Sequence, residues 1–342
     1  MLNLLKPFTL AASGLALAMG LAMPGFAQDA ASQSIVLYNG QHKNATAALI
    51  EAFEAKTGIN VERRDGSTNE LAHQIVEEGA KSPADVFYTE ETSPLFMLAS
   101  KGLLAKMDAE TIAAIPDEYK DPDGRWVGVL ARSRVIVFNP DLINENDLPE
   151  SVLDLTDPAW KGKFAFVPTS GAFQAQLSAT IKLKGRDAAK EWLLGLKENG
   201  RIYKKNPLVL AAVERGEIPF GLINNYYWDG MVREKGIDAV KSRLHFFDNH
   251  DLGGMLTVSG MAVLESSQHN QAAQEFVKFA TSEEGQQVLT NKSNQYPLNP
   301  AVKPAADLKP FSELSPPEGT LDLGEFSDGK AAVELLQEVG LL

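Results

Sequence analysis

The stretch SIVLYNGQHKNATAALIEAFEAKTG, Ser34 to Gly58, changes its hydrophobic period midway. Ile35, Val36 and Leu37 form the apolar centre of a buried strand running from Ser34 to Tyr38. Beyond the turn, Ala45, Leu49, Ala52 and Phe53 recur at helical spacing on one face. Asn44 reads as the N-cap of this helix and Gly58 as its C-cap, since a short polar side chain satisfies free N–H groups and glycine tolerates a left-handed turn. A strand that feeds directly into an amphipathic helix opens a βαβ unit, which makes the fold class α/β with a parallel sheet.

The alternation continues outward from this unit. A strand is expected at Ile59 to Glu62, a helix from about Asn69 to Glu78, and a strand at Asp85 to Tyr88. Two apolar runs, Val127 to Leu130 and Val135 to Phe138, are then separated by Ala131, Arg132, Ser133 and Arg134, and the second run could leave one lobe for another. After Pro140 a second alternation begins, with strands at Phe164 to Val167 and Ile218 to Ile223 and helices at Phe173 to Lys184, Arg186 to Asn199 and Pro207 to Arg215. The strand-like run Leu256 to Leu264 could carry the chain back, with helices at Gln271 to Ala280 and Glu283 to Leu289. The expectation is two α/β lobes joined by two hinge strands around a cleft, residues 28–133 with 257–307 and residues 134–256 with 308–342. Lys303 to Gly329 lacks strong periodicity, and Pro304, Pro316, Pro317 and Gly319 mark turns in it.

Residues 1–27 carry one charged side chain, Lys6, ahead of an apolar run from Phe8 to Ala22, and close on small residues at Gly25 and Ala27. This pattern is that of a secretory signal peptide, too short in its apolar core for a membrane anchor. About 315 residues would remain, with the formal net charge moving from -13 to -14 as Lys6 is lost. So acidic a chain does not favour nucleic acid or anionic membrane surfaces. The absence of cysteine excludes disulfides, thiolate metal sites and a lipid-modified cysteine at the cleavage point. Export without a lipid anchor points to the periplasm.

Ligands of open α/β sheets bind at the carboxyl ends of strands, and several such ends carry polar groups here. His42 lies in the turn after the first strand, and Glu90 lies just beyond the strand that ends at Tyr88. Thr169, Ser170, Gly171 and Ala172 form a small-residue turn opening a helix, whose free N–H groups suit an anion. Asn224, Asn225, Tyr226, Tyr227 and Trp228 follow the apolar run Ile218 to Ile223, at a strand-to-helix turn where successive side chains can face one cleft. Taken singly, each has an ordinary explanation as a surface residue, a solvated acid, a helix cap or an aromatic core patch. Together they supply an imidazole, a carboxylate, two phenols and an anion cradle. The set is too hard for copper(I), and phenolate is absent from the usual zinc ligands. It suits a small, highly charged cation that lowers the phenol pKa from about 10 by direct coordination. Iron(III) fits, because a carboxylate and two phenolates balance its triple charge and an anion, with or without water, completes the shell.

The motifs YNGQHK (Tyr38 to Lys43), ADVFYTE (Ala84 to Glu90), TSGAF (Thr169 to Phe173) and INNYYW (Ile223 to Trp228) closely resemble those of periplasmic ferric-ion-binding proteins. The resemblance extends to RSRVIVFNP (Arg132 to Pro140), WKGK (Trp160 to Lys163) and GLKENG (Gly195 to Gly200), and so covers the chain beyond the leader. It implies a type II periplasmic-binding-protein fold and capture of iron(III) for an inner-membrane ABC permease. By that resemblance, His42 and Glu90 are expected as iron ligands from the first lobe, and Tyr226 and Tyr227 from the second. Ser170, Gly171 and Ala172, with Asn206 and Asn224, are expected to hold a synergistic anion, phosphate or carbonate. The chain is expected to act as a monomer and to catalyse no reaction.

Two other readings use the same residues. An organic-solute receptor for a polyamine, thiamine or a phosphonate could box a cation with Tyr226, Tyr227 and Trp228. A secreted enzyme could use Glu90 as a general base beside His42, but no nucleophile-elbow, HExxH or P-loop motif accompanies it. His73, His245, His250 and His269 lack metal-ligand spacing, and Trp126, Trp160 and Trp192 read as packing residues.

Overall fold

Strand β1 (Ser34–Asn39) lies between β2 (Asn60–Asp65) and β3 (Val86–Thr89) and runs parallel to both. The computed structural model describes residue 2 and residues 34–304, 308–318 and 329–342. The expected leader, residues 1–27, lies outside these except for residue 2, as do residues 28–33, 305–307 and 319–328, so the turn expected at Gly319 is outside them too. Helix α1 (Lys43–Thr57) closes on Gly58, whose φ of 74° is left-handed as a C-cap requires. Its N-cap is His42, not Asn44. The turn is fixed one step earlier, because Asn39 Oδ1 accepts from Gln41 N and Thr46 Oγ1 while Gln41 Oε1 accepts from His42 N.

The remaining strands are β4 (Val127–Phe138), β5 (Phe164–Phe166), β6 (Arg201–Ile202), β7 (Phe220–Asn224), β8 (Arg243–His245), β9 (Leu256–Val263) and β10 (Tyr296–Pro297). The helices after α1 are α2 (Thr68–Glu78), α3 (Ser93–Ser100), α4 (Ala109–Ile112), α5 (Gly171–Lys184), α6 (Arg186–Asn199) and α7 (Asn206–Glu214). They continue with α8 (Asn225–Lys235), α9 (Asn270–Thr281), α10 (Glu283–Ser293) and α11 (Lys330–Glu338). The sheet order is β2-β1-β3-β9-β4-β7-β5-β6, with β8 and β10 also paired to β4. The sheet is mixed, not parallel throughout. The βαβ pairs β1–β2, β1–β3, β5–β6 and β5–β7 are parallel, whereas β9 runs antiparallel to β3 and β4, and β4 antiparallel to β7.

The two apolar runs expected before Pro140 are one strand. Residues 127–133 of β4 pair with β9, residues 134–138 pair with β7, and a register shift falls between Gly128 and Ala131. All of β4 is buried, including Arg132, Ser133 and Arg134. These polar residues do not break the strand because each finds a partner: Arg132 the Glu91 carboxylate, Ser133 N the Asn225 side chain, Arg134 the Asn224 side chain.

Apolar residues from Ile35 to Ala131 and from Val258 to Leu308 share one core. A second core runs from Ile136 to Met255 and is closed by Ala332, Leu335, Leu336, Val339 and Leu341. Strand alternation sends Ile136 and Phe138 into this core, and Val135 and Val137 into a third cluster with Val209, Ile223 and Trp228. Trp126 and Trp192 are buried and Trp160 packs at the margin of the second core, so all three are packing residues, as expected. Glu283 and Glu284 sit in the first turn of α10, where the helix dipole favours them.

Trp192 stacks on Phe173 with ring centroids 5.7 Å apart, and its indole N–H donates to Val152 O at 3.0 Å. Trp192→Ala should therefore cost about 3–5 kcal/mol of unfolding free energy, read from urea melts. Glu214, at the end of α7, accepts from Lys241 N, Ser242 N and Ser242 Oγ at 2.8, 2.9 and 2.6 Å. Burial pushes its pKa up, but the Ser242 hydroxyl and these N–H groups outweigh it and hold the carboxyl below its ordinary value. That stabilisation is complete above the unfolded carboxyl pKa of about 4.3 and is lost as pH falls through the lower folded value. Glu214→Gln should lower the urea midpoint at neutral pH, and the gap to wild type should close on acidification through that window.

Candidate metal centre

Tyr226 and Tyr227 occupy the first turn of α8, directly after β7 ends at Asn224. Their rings are 4.2 Å apart between centroids and tilted by 39°. Tyr226 is buried and Tyr227 half-buried. From the end of β1 comes His42, whose ring meets that of Tyr226 edge-on with centroids 5.0 Å apart. Glu90, one residue past β3, places its Oε1 3.1 Å from His42 Nε2. The carboxyl ends of β1, β3 and β7 thus converge on an imidazole, a carboxylate and the phenol of Tyr226, with the second phenol adjoining it.

A cavity of about 280 Å³ adjoins these groups, lined by Glu90, Tyr226 and Tyr227 together with Ser170, Gly171, Ala172, Asn206 and Asn224. Ser170 is the N-cap of α5 and makes no side-chain cap to it, so the helix opens toward the cavity with uncapped N–H groups. Asn206 Nδ2 donates to Ser170 Oγ at 3.4 Å, and Asn224 Oδ1 accepts from Arg134 Nη1 at 3.2 Å. The residues singled out in the sequence for a cation and for an anion share one cavity or its edge.

The electrostatics explain how the cluster holds charge. Burial pushes the Tyr226 phenol well above its ordinary pKa, and the neighbouring Tyr227 adds to the rise, while Arg132 pulls it down. A free phenol there is neutral, and a bound cation has to displace its proton. Burial also works against ionised Glu90, but the contact with His42 and the charge of Arg132 hold its carboxyl below the ordinary value. Arg134 is buried, which pushes its guanidinium down to about 10. Among the described residues, no cluster of three His, Cys, Asp or Glu side chains could hold a metal, so any cation site here depends on the phenols.

Several residues of the site were not anticipated. Glu91, Arg132, Lys204 and Lys205 also line the cavity, and Glu91 Oε1 accepts from Arg132 Nη2 at 2.7 Å. In the sequence Arg132 and Arg134 stood only as the break between two apolar runs. A pair of arginines inside an otherwise apolar strand, and two lysines just before a helix, were the available signals. His73, His245, His250 and His269 play no part in the cluster: His245 contacts Glu145, His250 contacts Pro316 O, and His269 contacts Asp85.

The family model described as bacterial extracellular solute-binding protein matches residues 81–314. The major ferric iron-binding protein of Neisseria meningitidis is 43% identical over 332 residues, 96% of this chain and 97% of that protein. The Fe(3+)-binding periplasmic protein of Serratia marcescens is 39% identical over 340 residues, 99% of this chain and 98% of that protein. The crystal structure of iron-bound HitA from Pseudomonas aeruginosa superposes with a TM-score of 0.85 at 51% identity, over 90% of this chain and 99% of that one. The fold is accordingly the two-lobed type II arrangement. The chain belongs to the bacterial extracellular solute-binding proteins and, within them, to the periplasmic ferric-ion-binding branch.

Proposed function

We propose that the protein captures iron(III) with a synergistic anion in the periplasm and delivers both to an inner-membrane ABC permease, without chemical turnover. The observation that carries this reading is the convergence of His42, Glu90, Tyr226 and Tyr227 beside the uncapped N-terminus of α5. A carboxylate and two phenolates balance the charge of iron(III), and His42 adds a nitrogen donor. Phosphate or carbonate would lie against Ser170, Gly171 and Ala172, with Asn206 and Asn224 to either side. The names of the Neisseria and Serratia relatives and the iron-bound Pseudomonas structure support iron as the cargo.

The lobes of this reading are residues 28–133 with 257–307 and residues 134–256 with 308–342. Iron docks on Tyr226 and Tyr227 while the cleft is open, and closure brings His42 and Glu90 across. The monomer in this closed form is what the permease recognises. Reduction to iron(II), loss of the anion or protonation of the phenolates favours release, since a less charged ion holds phenolate less tightly.

Iron(III) supplied with phosphate or carbonate should load stoichiometrically and give a broad visible band from phenolate-to-iron charge transfer, checked by absorption and metal analysis. A colourless, iron-free protein carrying an organic solute would overturn the reading. Tyr226→Phe should lose most of that band and weaken iron binding by more than the 10–100-fold typical of outer-shell changes, measured by chelator competition. Unchanged affinity in that variant would remove Tyr226 from the ligand set.

A further inference from the structure

The Glu91 carboxylate stands where a free anion would have to bind. It leaves the turn after β3, and its Oε1 accepts from Arg132 Nη2 at 2.7 Å. It lies over the first turn of α5 so closely that a Cβ on Gly171 would fall 3.0 Å from Oε1 and 3.3 Å from Oε2. The absence of a side chain at Gly171 makes room for this approach. A buried donor lining the same cavity has no hydrogen-bond partner among the described residues: Arg132 Nη1, in a residue 2% exposed. Lys204 and Lys205 line the cavity as well, so with Arg132 its cationic side chains outnumber the carboxylates of Glu90 and Glu91.

We propose that Glu91 is a built-in anion, a carboxylate that competes with free oxyanions for Arg132 and the first turn of α5, so that phosphate enters by displacing it. A carboxylate meets a guanidinium and a helix N-terminus with the same charge and oxygen geometry as a small oxyanion. With Glu91 in place, the cradle is never left without a negative group. With phosphate in place, Arg132 exchanges one anionic partner for another, and its idle Nη1 becomes available to a larger ring of oxygens. Glu91 thereby sets the free-anion concentration at which the cradle fills. This inference rests on the reading of that cradle as an anion site, and it does not require iron.

The test is isothermal titration of iron-free protein with inorganic phosphate, wild type against Glu91→Gln, alongside thermal melts with and without phosphate. Glutamine keeps the shape of the side chain and removes its charge. Phosphate should bind the variant about tenfold more tightly, the scale expected for removing one like charge at a partly desolvated contact. The variant should also melt lower than wild type without phosphate, because Arg132 loses its counter-charge, and should gain more from phosphate than wild type does. If Glu91→Gln does not fold, Glu91→Asp, which draws the charge back by a methylene, should still bind phosphate more tightly than wild type. Equal or weaker phosphate affinity in a folded variant, including no binding by either protein, overturns the proposal. A wild-type protein that takes up no iron would sink the iron reading and leave this comparison standing.

Discussion

The constraint that shapes the site is the burial of two arginines in the middle of a strand. Arg132 and Arg134 are each 2% exposed on β4, where a charged side chain is tolerated only with partners drawn from elsewhere in the chain. Arg132 takes Glu91 from the turn after β3, and Arg134 takes Asn224 from the end of β7. Between them, Ser133 N donates to Asn225 Oδ1, the first residue of α8. Each of these partners lies within two residues of a member of the candidate cluster: Glu91 beside Glu90, and Asn224 and Asn225 just before Tyr226. Satisfying the strand thus holds the turns that carry the candidate ligands in position.

The charge arrangement follows from the same constraint. Arg132 and the cavity-lining Lys204 and Lys205 share the site with Glu90 and Glu91, while Arg134 interacts with the phenols of Tyr226 and Tyr227. Such a site is matched neither to a bare cation nor to a bare anion. It presents groups of both signs, with the phenols at one side of the cavity and the α5 terminus at another. Opposite charges placed this close lower the cost of burying either.

Much of this was legible in the sequence because the fold is built from regular periods. The strand and helix at Ser34 to Gly58 lie where the change from period 2 to period 3.6 put them, and Arg186–Asn199 forms a single helix as expected. Helix α3 was missed because SPLFMLAS is short and nearly all apolar, so it has no polar face to reveal its period. Strand β4 was split in two because arginine is a poor strand signal until its partners are known. The four ligand candidates were readable as polar and aromatic residues at or just past strand ends. Glu91 was not, since what distinguishes it from any solvated acid is Arg132, 41 residues further along the chain. Pairings that span the sheet leave no trace in a local pattern.

The interleaving of the two main cores bears on how the molecule reaches its compartment. The first core needs residues 258–308 to complete what residues 35–131 begin, and the second is closed only by residues 332–341. Neither can be finished until nearly the whole chain has been synthesised. Contacts that join such distant segments form slowly, because long loops have to close before they are rewarded. A nascent chain of this layout stays without a completed core during most of its synthesis. For a periplasmic protein that delay leaves the chain open before it reaches its compartment, and it is written into the order of the strands.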